Sequence, residues 1–276
     1  MLIDRLAMSI VLVPAAVWVL ALGGPAYTIL ILLTLSLAAR EYVRFFRAGG
    51  GRPAEFLILA GVLALGANRY WHWVDQGFVL SAFIVAGLIW HLMDYERGAH
   101  ASGTDFVATL GGVLYIGWMG SYLIALRHFG EDGLWWSAVA LGTTWLADTG
   151  AYFSGRAFGR TPMAPRLSPK KTWEGFIGGV LWASISGGLL GGLWTLAAAP
   201  GSQIGIVTGL GLGALAGLAG PTGDLGISML KRQTGLKDAG DLLAGHGGVL
   251  DRIDSWLVAV PVCFYAIILI EWFARG

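Results

Sequence analysis

Residues 220–255 read GPTGDLGISMLKRQTGLKDAGDLLAGHGGVLDRIDS, a charged island between two apolar runs. Asp224, Lys231, Arg232, Lys237, Asp238, Asp241, Asp251, Arg252 and Asp254 place nine of the chain's 35 Lys, Arg, Asp and Glu residues in 36 of its 276 positions. On either side, Ile204–Gly220 and Ser255–Phe273 are almost wholly apolar. Each approaches the roughly 20 residues that a helix needs to cross a bilayer. A mixed-sign island tied at both ends to membrane-length helices points to an all-α, polytopic membrane protein.

Working outward, the composition agrees. Charged residues make up 13% and hydrophobic ones 56%, with a mean hydropathy of +0.68, whereas soluble domains carry about a quarter charged residues. The 13 Trp and 43 Gly suit interfacial anchoring and close helix packing in a membrane. The single Cys263 excludes an intramolecular disulfide and argues against a thiolate metal site. Nine candidate spans follow: Leu6–Leu22, Ala26–Ala39, Phe56–Ala67, Phe78–Met93, Phe106–Leu126, Leu134–Phe153, Phe176–Ala199, Ile204–Gly220 and Ser255–Phe273. No small-residue cleavage site follows the first, so it reads as a retained helix. With the N-terminus inside, 15 Lys and Arg fall on the inner segments and 3 on the outer. The positive-inside rule then puts the N-terminus in the cytoplasm and the C-terminus outside. Organisation is expected as N-terminal helices with a basic cytoplasmic loop over 1–100 and a catalytic membrane region over 101–276.

The first 140 residues carry little chemistry. REYVRFFRAGGGR at 40–52 is a snorkelling anchor against anionic headgroups or an access surface for an anionic lipid. His72, His91, His100 and His128 read as interfacial residues near helix ends. Beyond Leu134 the pattern changes. Asp148 lies in LWWSAVALGTTWLADTGAYFSG, where an ionisable group is costly; it belongs to a site or pairs with Arg156 at the interface. The following GRAFGRTPMAPRLSPKKTWEG at 155–175 is cationic and proline-broken. Ser168 followed by Pro169 predicts a helix N-cap with proline at the first helical position. Lys170, Lys171 and the free amides of that turn would then attract an anion. Gly205, Gly209, Gly213 and Gly217 recur every four residues, a face for close helix contact.

Within the island, helical continuation past Asp224 would place Ser228 and Lys231 one and two turns on. Asp251 and Asp254 share a helix face. With Asp224 and Asp148 they form a hard oxygen-donor set suited to Mg²⁺, which takes one or two carboxylates and completes its shell with water and phosphate. His246-Gly247-Gly248 is a turn able to approach phosphate, and Lys231, Arg232, Lys237 and Arg252 would balance a triphosphate. Metal carboxylates and phosphate-binding cations at a membrane suggest phosphoryl or nucleotidyl transfer to a lipid.

SMLKRQTGLKDAGDLLAGHGGVLDRIDS resembles the signature of phosphatidate cytidylyltransferases (CDP-diacylglycerol synthases). ADTGAYFSGRAFG and SPKKTWEGFIGG resemble that family's two upstream blocks, in the same order. The three blocks cover roughly Leu146–Ser255. Two positions depart from the family pattern: Ile227, where a glutamate is frequent, and Ala244, where a proline or small turn residue is usual. The resemblance implies Mg²⁺-dependent condensation of CTP with phosphatidate to CDP-diacylglycerol and pyrophosphate, at a paired-metal centre whose second ion can be monovalent. It assigns metal coordination to Asp224 and Asp251, with Asp254 and Asp148 nearby. Lys170, Lys171, Lys231, Arg232 and Lys237 hold phosphates, joined by Ser168, Thr172, His246 and Arg252 as substrate contacts. The expected partners are CTP, phosphatidate and the bilayer, with no nucleic acid. The expected location is a bacterial-type inner (plasma) membrane, active site on the cytoplasmic side. The glycine faces suit a homodimer as well as packing within one chain.

Three other readings fit the sequence less well. A CDP-alcohol phosphotransferase would show a D-G-x-x-A-R block that is missing here. A CTP-dependent polyprenol or dolichol kinase is a more distant relative. An ion-coupled transporter using Asp148 and Asp224 would show repeated halves, and no repeat is present.

Overall fold

The computed structural model describes residues 14–198, 200–236, 238–240 and 247–275. Residues 14–22 are helical. Then come α1 (Gly24–Ala48), α2 (Glu55–Trp71), α3 (Gln76–Glu96) and α4 (Ser102–Gly112). A π-helical segment, Val113–Trp118, joins α4 to α5 (Met119–Arg127), and α6 (Gly133–Phe158) follows. A short antiparallel hairpin, β1 (Pro162–Ala164) and β2 (Ser168–Thr172), precedes α7 (Trp173–Trp194), α8 (Ile206–Thr234) and α9 (Leu250–Arg275). The all-α membrane class is therefore correct, with one hairpin added.

Two compact units are present: Met1–Ile124 with Leu230–Ile253, and Ala125–Met229 with Asp254–Gly276. In the first, Leu35, Ala38 and Phe45 of α1, Ile58, Val62 and Leu65 of α2, and Ile116 of the π-helical segment are fully buried. Gly117 lets the π-helical segment approach the α2 backbone at Val62. In the second unit, Gly209 of α8 lies against Gly187 of α7, and Gly213 against Ala183, so closely that a side chain at either glycine would overlap backbone. The four-residue glycine repeat thus serves packing within the chain.

Ile177, Leu181, Ile185, Leu189 and Leu193 form a stripe down α7 and are all more than half exposed. An apolar stripe of that length faces lipid and not water. Five described helical stretches are long and apolar enough to cross a membrane: Gln76–Glu96, Ser102–Arg127, Trp173–Trp194, Ile206–Thr234 and Leu250–Ala274.

Several local expectations are corrected. The arginine-rich stretch after Ala39 is not a loop up to Ala48, because α1 continues through it and ends at Gly49 and at Gly50, whose φ is +85°. Helix α8 does not stop at Gly220 but carries Pro221 inside it and runs to Thr234. His91, expected as an interfacial residue near a helix end, is buried within the first unit. It is 3% exposed, and its Nε2 shares a 2.8 Å hydrogen bond with Thr109 Oγ1.

Candidate active site

The second unit builds a cationic corner from the hairpin. The sequence predicts a helix starting at Ser168–Pro169, but Ser168 opens β2 and pairs with Ala164, while Pro162 pairs with Thr172. The cause is local. A residue before proline is pushed out of the α region, and Thr161, Ala164 and Ser168 each precede one. The helix starts four residues later: Thr172 is the N-cap of α7, its Oγ1 accepting from Gly175 N at 3.2 Å. Glu174 in the first turn reaches back. It accepts from Arg160 N and Thr161 N at 3.1 Å, and from Thr161 Oγ1 at 2.8 Å. The hairpin is thereby fastened to the start of α7.

This corner presents Lys170 and Lys171. The Lys171 ammonium donates to the Asp224 carboxylate of α8. Asp148, Arg156, Lys170, Lys171 and Thr172 line one cavity of about 380 Å³, together with apolar side chains such as Phe176. Four of the expected residues (Asp148, Lys170, Lys171 and Thr172) therefore share one cavity in the second unit, and Asp224 is ion-paired to one of them.

The first unit holds a second carboxylate–ammonium pair. Lys231 Nζ donates to Asp251 Oδ1 at 2.7 Å, with side chains 18% and 15% exposed. Asp251 Oδ2 accepts from Ala239 N at 2.9 Å and Gly248 N at 3.2 Å. Gly247 beside it has φ +77°, a left-handed conformation that glycine adopts without steric cost. The same backbone meets another carboxylate. Glu41 of α1, 4% exposed, accepts from Val249 N at 2.9 Å and Leu250 N at 2.7 Å. Hydrogen bonds to a charged group contribute roughly 1.5–3 kcal/mol each. Burial pushes the Glu41 carboxyl above the usual carboxylate range, against the pull of those two donors.

Asp254 is 6% exposed, and its Oδ1 accepts from Ser255 N at 2.7 Å. Its carbonyl oxygen packs on Gly223 of α8. Arg232 and Arg252 are solvent-exposed. Ile227 is 1% exposed. Lys237 and His246 lie outside the described residues. Sequence reasoning missed Glu41 and Glu174. Glu174 carried a local signal as an acid in a helical first turn. Glu41 carried none, because its partners are 208 and 209 positions away.

Among the described residues no group of three His, Cys, Asp or Glu is arranged to cage a metal ion. The donor chemistry nevertheless fits Mg²⁺. That ion takes only one or two carboxylates and draws the rest of its shell from water and phosphate. Asp224 and Asp251 each already hold a cationic partner, Lys171 and Lys231.

Comparison with known proteins places these residues in a family context. The model of the Cytidylyltransferase family matches residues 3–270. A phosphatidate cytidylyltransferase of Synechocystis sp. is 33% identical, with 97% of each chain covered. One from Brucella suis is 36% identical over 95% of this chain and 91% of its own. One from Pseudomonas aeruginosa is 35% identical over 95% of each.

Proposed function

Because this chain belongs to the phosphatidate cytidylyltransferase family, we propose that it condenses CTP with phosphatidate to CDP-diacylglycerol and pyrophosphate. The observation that carries this reading is a pair of carboxylate–ammonium couples, Lys171 with Asp224 and Lys231 with Asp251, in an otherwise apolar chain. Kinase and transporter alternatives gain no comparable support.

A phosphatidate phosphate oxygen attacks the α-phosphorus of CTP. The bond to the β-phosphate oxygen breaks, and pyrophosphate carries away the electron pair. Phosphatidate is already an anion at neutral pH, so no strong general base is needed; the obstacle is repulsion between two anions. Fixed cations remove it. Lys170 and Lys171, on a hairpin anchored by Glu174, take phosphate oxygens in the cavity that Arg156 and Thr172 also line. Phe176 offers apolar surface for the lipid beside them. Lys231, with Arg232, Lys237, His246 and Arg252 from the same island, binds the nucleotide phosphates. Asp224 and Asp251 are the carboxylates that would hold Mg²⁺, with Asp254 and Asp148 as supporting carboxylates, as the family resemblance implies. When bound, that ion neutralises and aligns phosphate oxygens.

The chain is a multi-pass membrane protein. We place it in an inner (plasma) membrane with nine spans, the N-terminus and the active site cytoplasmic, as the charge asymmetry supports. Purified full-length protein incubated with labelled CTP, phosphatidate and Mg²⁺ is expected to yield lipid-extractable cytidine label; its absence overturns the reading. Asp251→Asn in the same assay is expected to lower turnover more than about a hundredfold, since metal stabilisation supplies several kcal/mol and 1.36 kcal/mol is one decade. Retention of more than a tenth would remove Asp251 from that role.

A further inference from the structure

Glu41 sits on α1 in a stretch that otherwise carries arginines, and it is nearly inaccessible. Its two carboxylate oxygens take separate donors, Val249 N on Oε1 and Leu250 N on Oε2. Gly240 and Gly248 press on the same carboxylate so closely that a methyl group at either position would overlap it. Asp251 grips the same backbone through Ala239 N and Gly248 N. The segments 239–240 and 248–250 are thus held by two carboxylates, Glu41 and Asp251. Glu41, 4% exposed, meets this backbone through both carboxylate oxygens.

We propose that Glu41 is a positioning residue for Asp251: it locks the backbone whose amides orient the Asp251 carboxylate, and so sets the affinity for a divalent cation. The proposal rests on the reading of Asp251 as a cation-binding carboxylate. Neither glutamine nor alanine at position 41 can accept from both amides. Glutamine keeps the volume but turns an NH₂ group toward one of the two N–H donors. The contact that orients Asp251 would loosen without loss of packing.

The test measures Mn²⁺ binding to detergent-solubilised full-length protein, from the loss of the free aqueous Mn²⁺ resonance, beside the Mg²⁺ concentration that gives half-maximal turnover. Wild type, Glu41→Gln, Gly240→Ala and Asp251→Asn are compared, with thermal unfolding as the fold control. Residues that orient metal ligands typically change metal affinity about ten- to a hundredfold. Glu41→Gln is expected to weaken Mn²⁺ binding and raise the half-saturating Mg²⁺ by that factor while remaining folded. Gly240→Ala, which keeps every polar group but wedges a methyl against the Glu41 carboxylate, is expected to do the same. If Glu41→Gln does not fold, Gly240→Ala decides the matter. A folded variant with wild-type cation affinity, beside a weakened Asp251→Asn, overturns the proposal alone. Unchanged affinity in Asp251→Asn overturns the reading of Asp251 on which it rests. Loss of the fold in both position-41 and position-240 variants assigns Glu41 to stability and overturns the positioning role.

Discussion

Ile227 occupies a position where the family motif often has glutamate, yet its side chain is 1% exposed within the second unit. An aliphatic side chain there needs no counter-charge. A carboxylate would need one, because an unpaired buried charge costs far more than a lost methyl contact. Ile227→Glu is therefore expected to destabilise the protein by more than about 3 kcal/mol, the range reserved for buried unpaired charge or a broken core. Thermal unfolding in detergent checks it, and an unchanged midpoint would mean that a cation reaches the position. At this scale the sequence was informative wherever charge was dense. Asp224, Lys171, Lys231 and Asp251 stand out because ionisable groups are rare in the chain, and they pair as Lys171–Asp224 and Lys231–Asp251. Glu41 did not stand out among Arg40, Arg44 and Arg47. A single acid in a basic stretch reads as an ordinary surface charge until its partners 208 and 209 positions away are known.

At the scale of elements, the hairpin at 162–172 shows how two local signals compete. Ser-Pro is a sound helix-start signal taken alone. Three prolines within eight residues (162, 165 and 169) also make extended backbone the low-energy choice for the residues before them. The second effect prevails because Thr172 and Glu174 provide a complete alternative start, with Glu174 satisfying the amides of Arg160 and Thr161. Lys170 and Lys171 therefore stand on a strand that leads into the helix N-terminus and not in its first turn. Glu174 should then matter through geometry, since its carboxylate fastens Arg160 and Thr161 at the base of the hairpin. Glu174→Ala is expected to raise the KM for phosphatidate several-fold while leaving the protein folded, because the lysines lose a fixed platform but keep their charge. Steady-state kinetics in mixed micelles with varied lipid fraction checks this. An unchanged KM would mean that the strand pairing of β1 and β2 alone holds the lysines in place.

The whole molecule raises the question of how many helices cross the bilayer, and α6 is the informative case. It has 26 residues, yet it is absent from the five stretches whose hydropathy suffices. The shortfall comes from its polar residues, among them Thr143, Thr144 and Asp148. Thr143 and Thr144 are buried, and their hydroxyls donate to the carbonyls of Val139 and Ala140 within the helix at 2.7 and 2.8 Å. A hydroxyl satisfied in this way does not incur the desolvation cost that a hydropathy scale assigns to it. Asp148 lines a cavity to which Arg156, Lys170 and Lys171 also contribute. The α6 helix also packs tightly on α7, Gly150 against Trp182, which keeps part of its polar surface from lipid. These features argue that α6 crosses the membrane, so that its two ends lie on opposite sides. Cys263 is fully buried and can be replaced by serine to give a cysteine-free background. In that background Glu131→Cys and Arg166→Cys, both exposed and flanking α6, are expected to react differently with a membrane-impermeant maleimide. Intact cells should label position 131 and leave position 166 unlabelled until the membrane is permeabilised. Labelling of both from one side would mean that α6 does not cross and would lower the count of spans. The reverse pattern would invert the orientation and set the 15 to 3 distribution of Lys and Arg against the positive-inside rule.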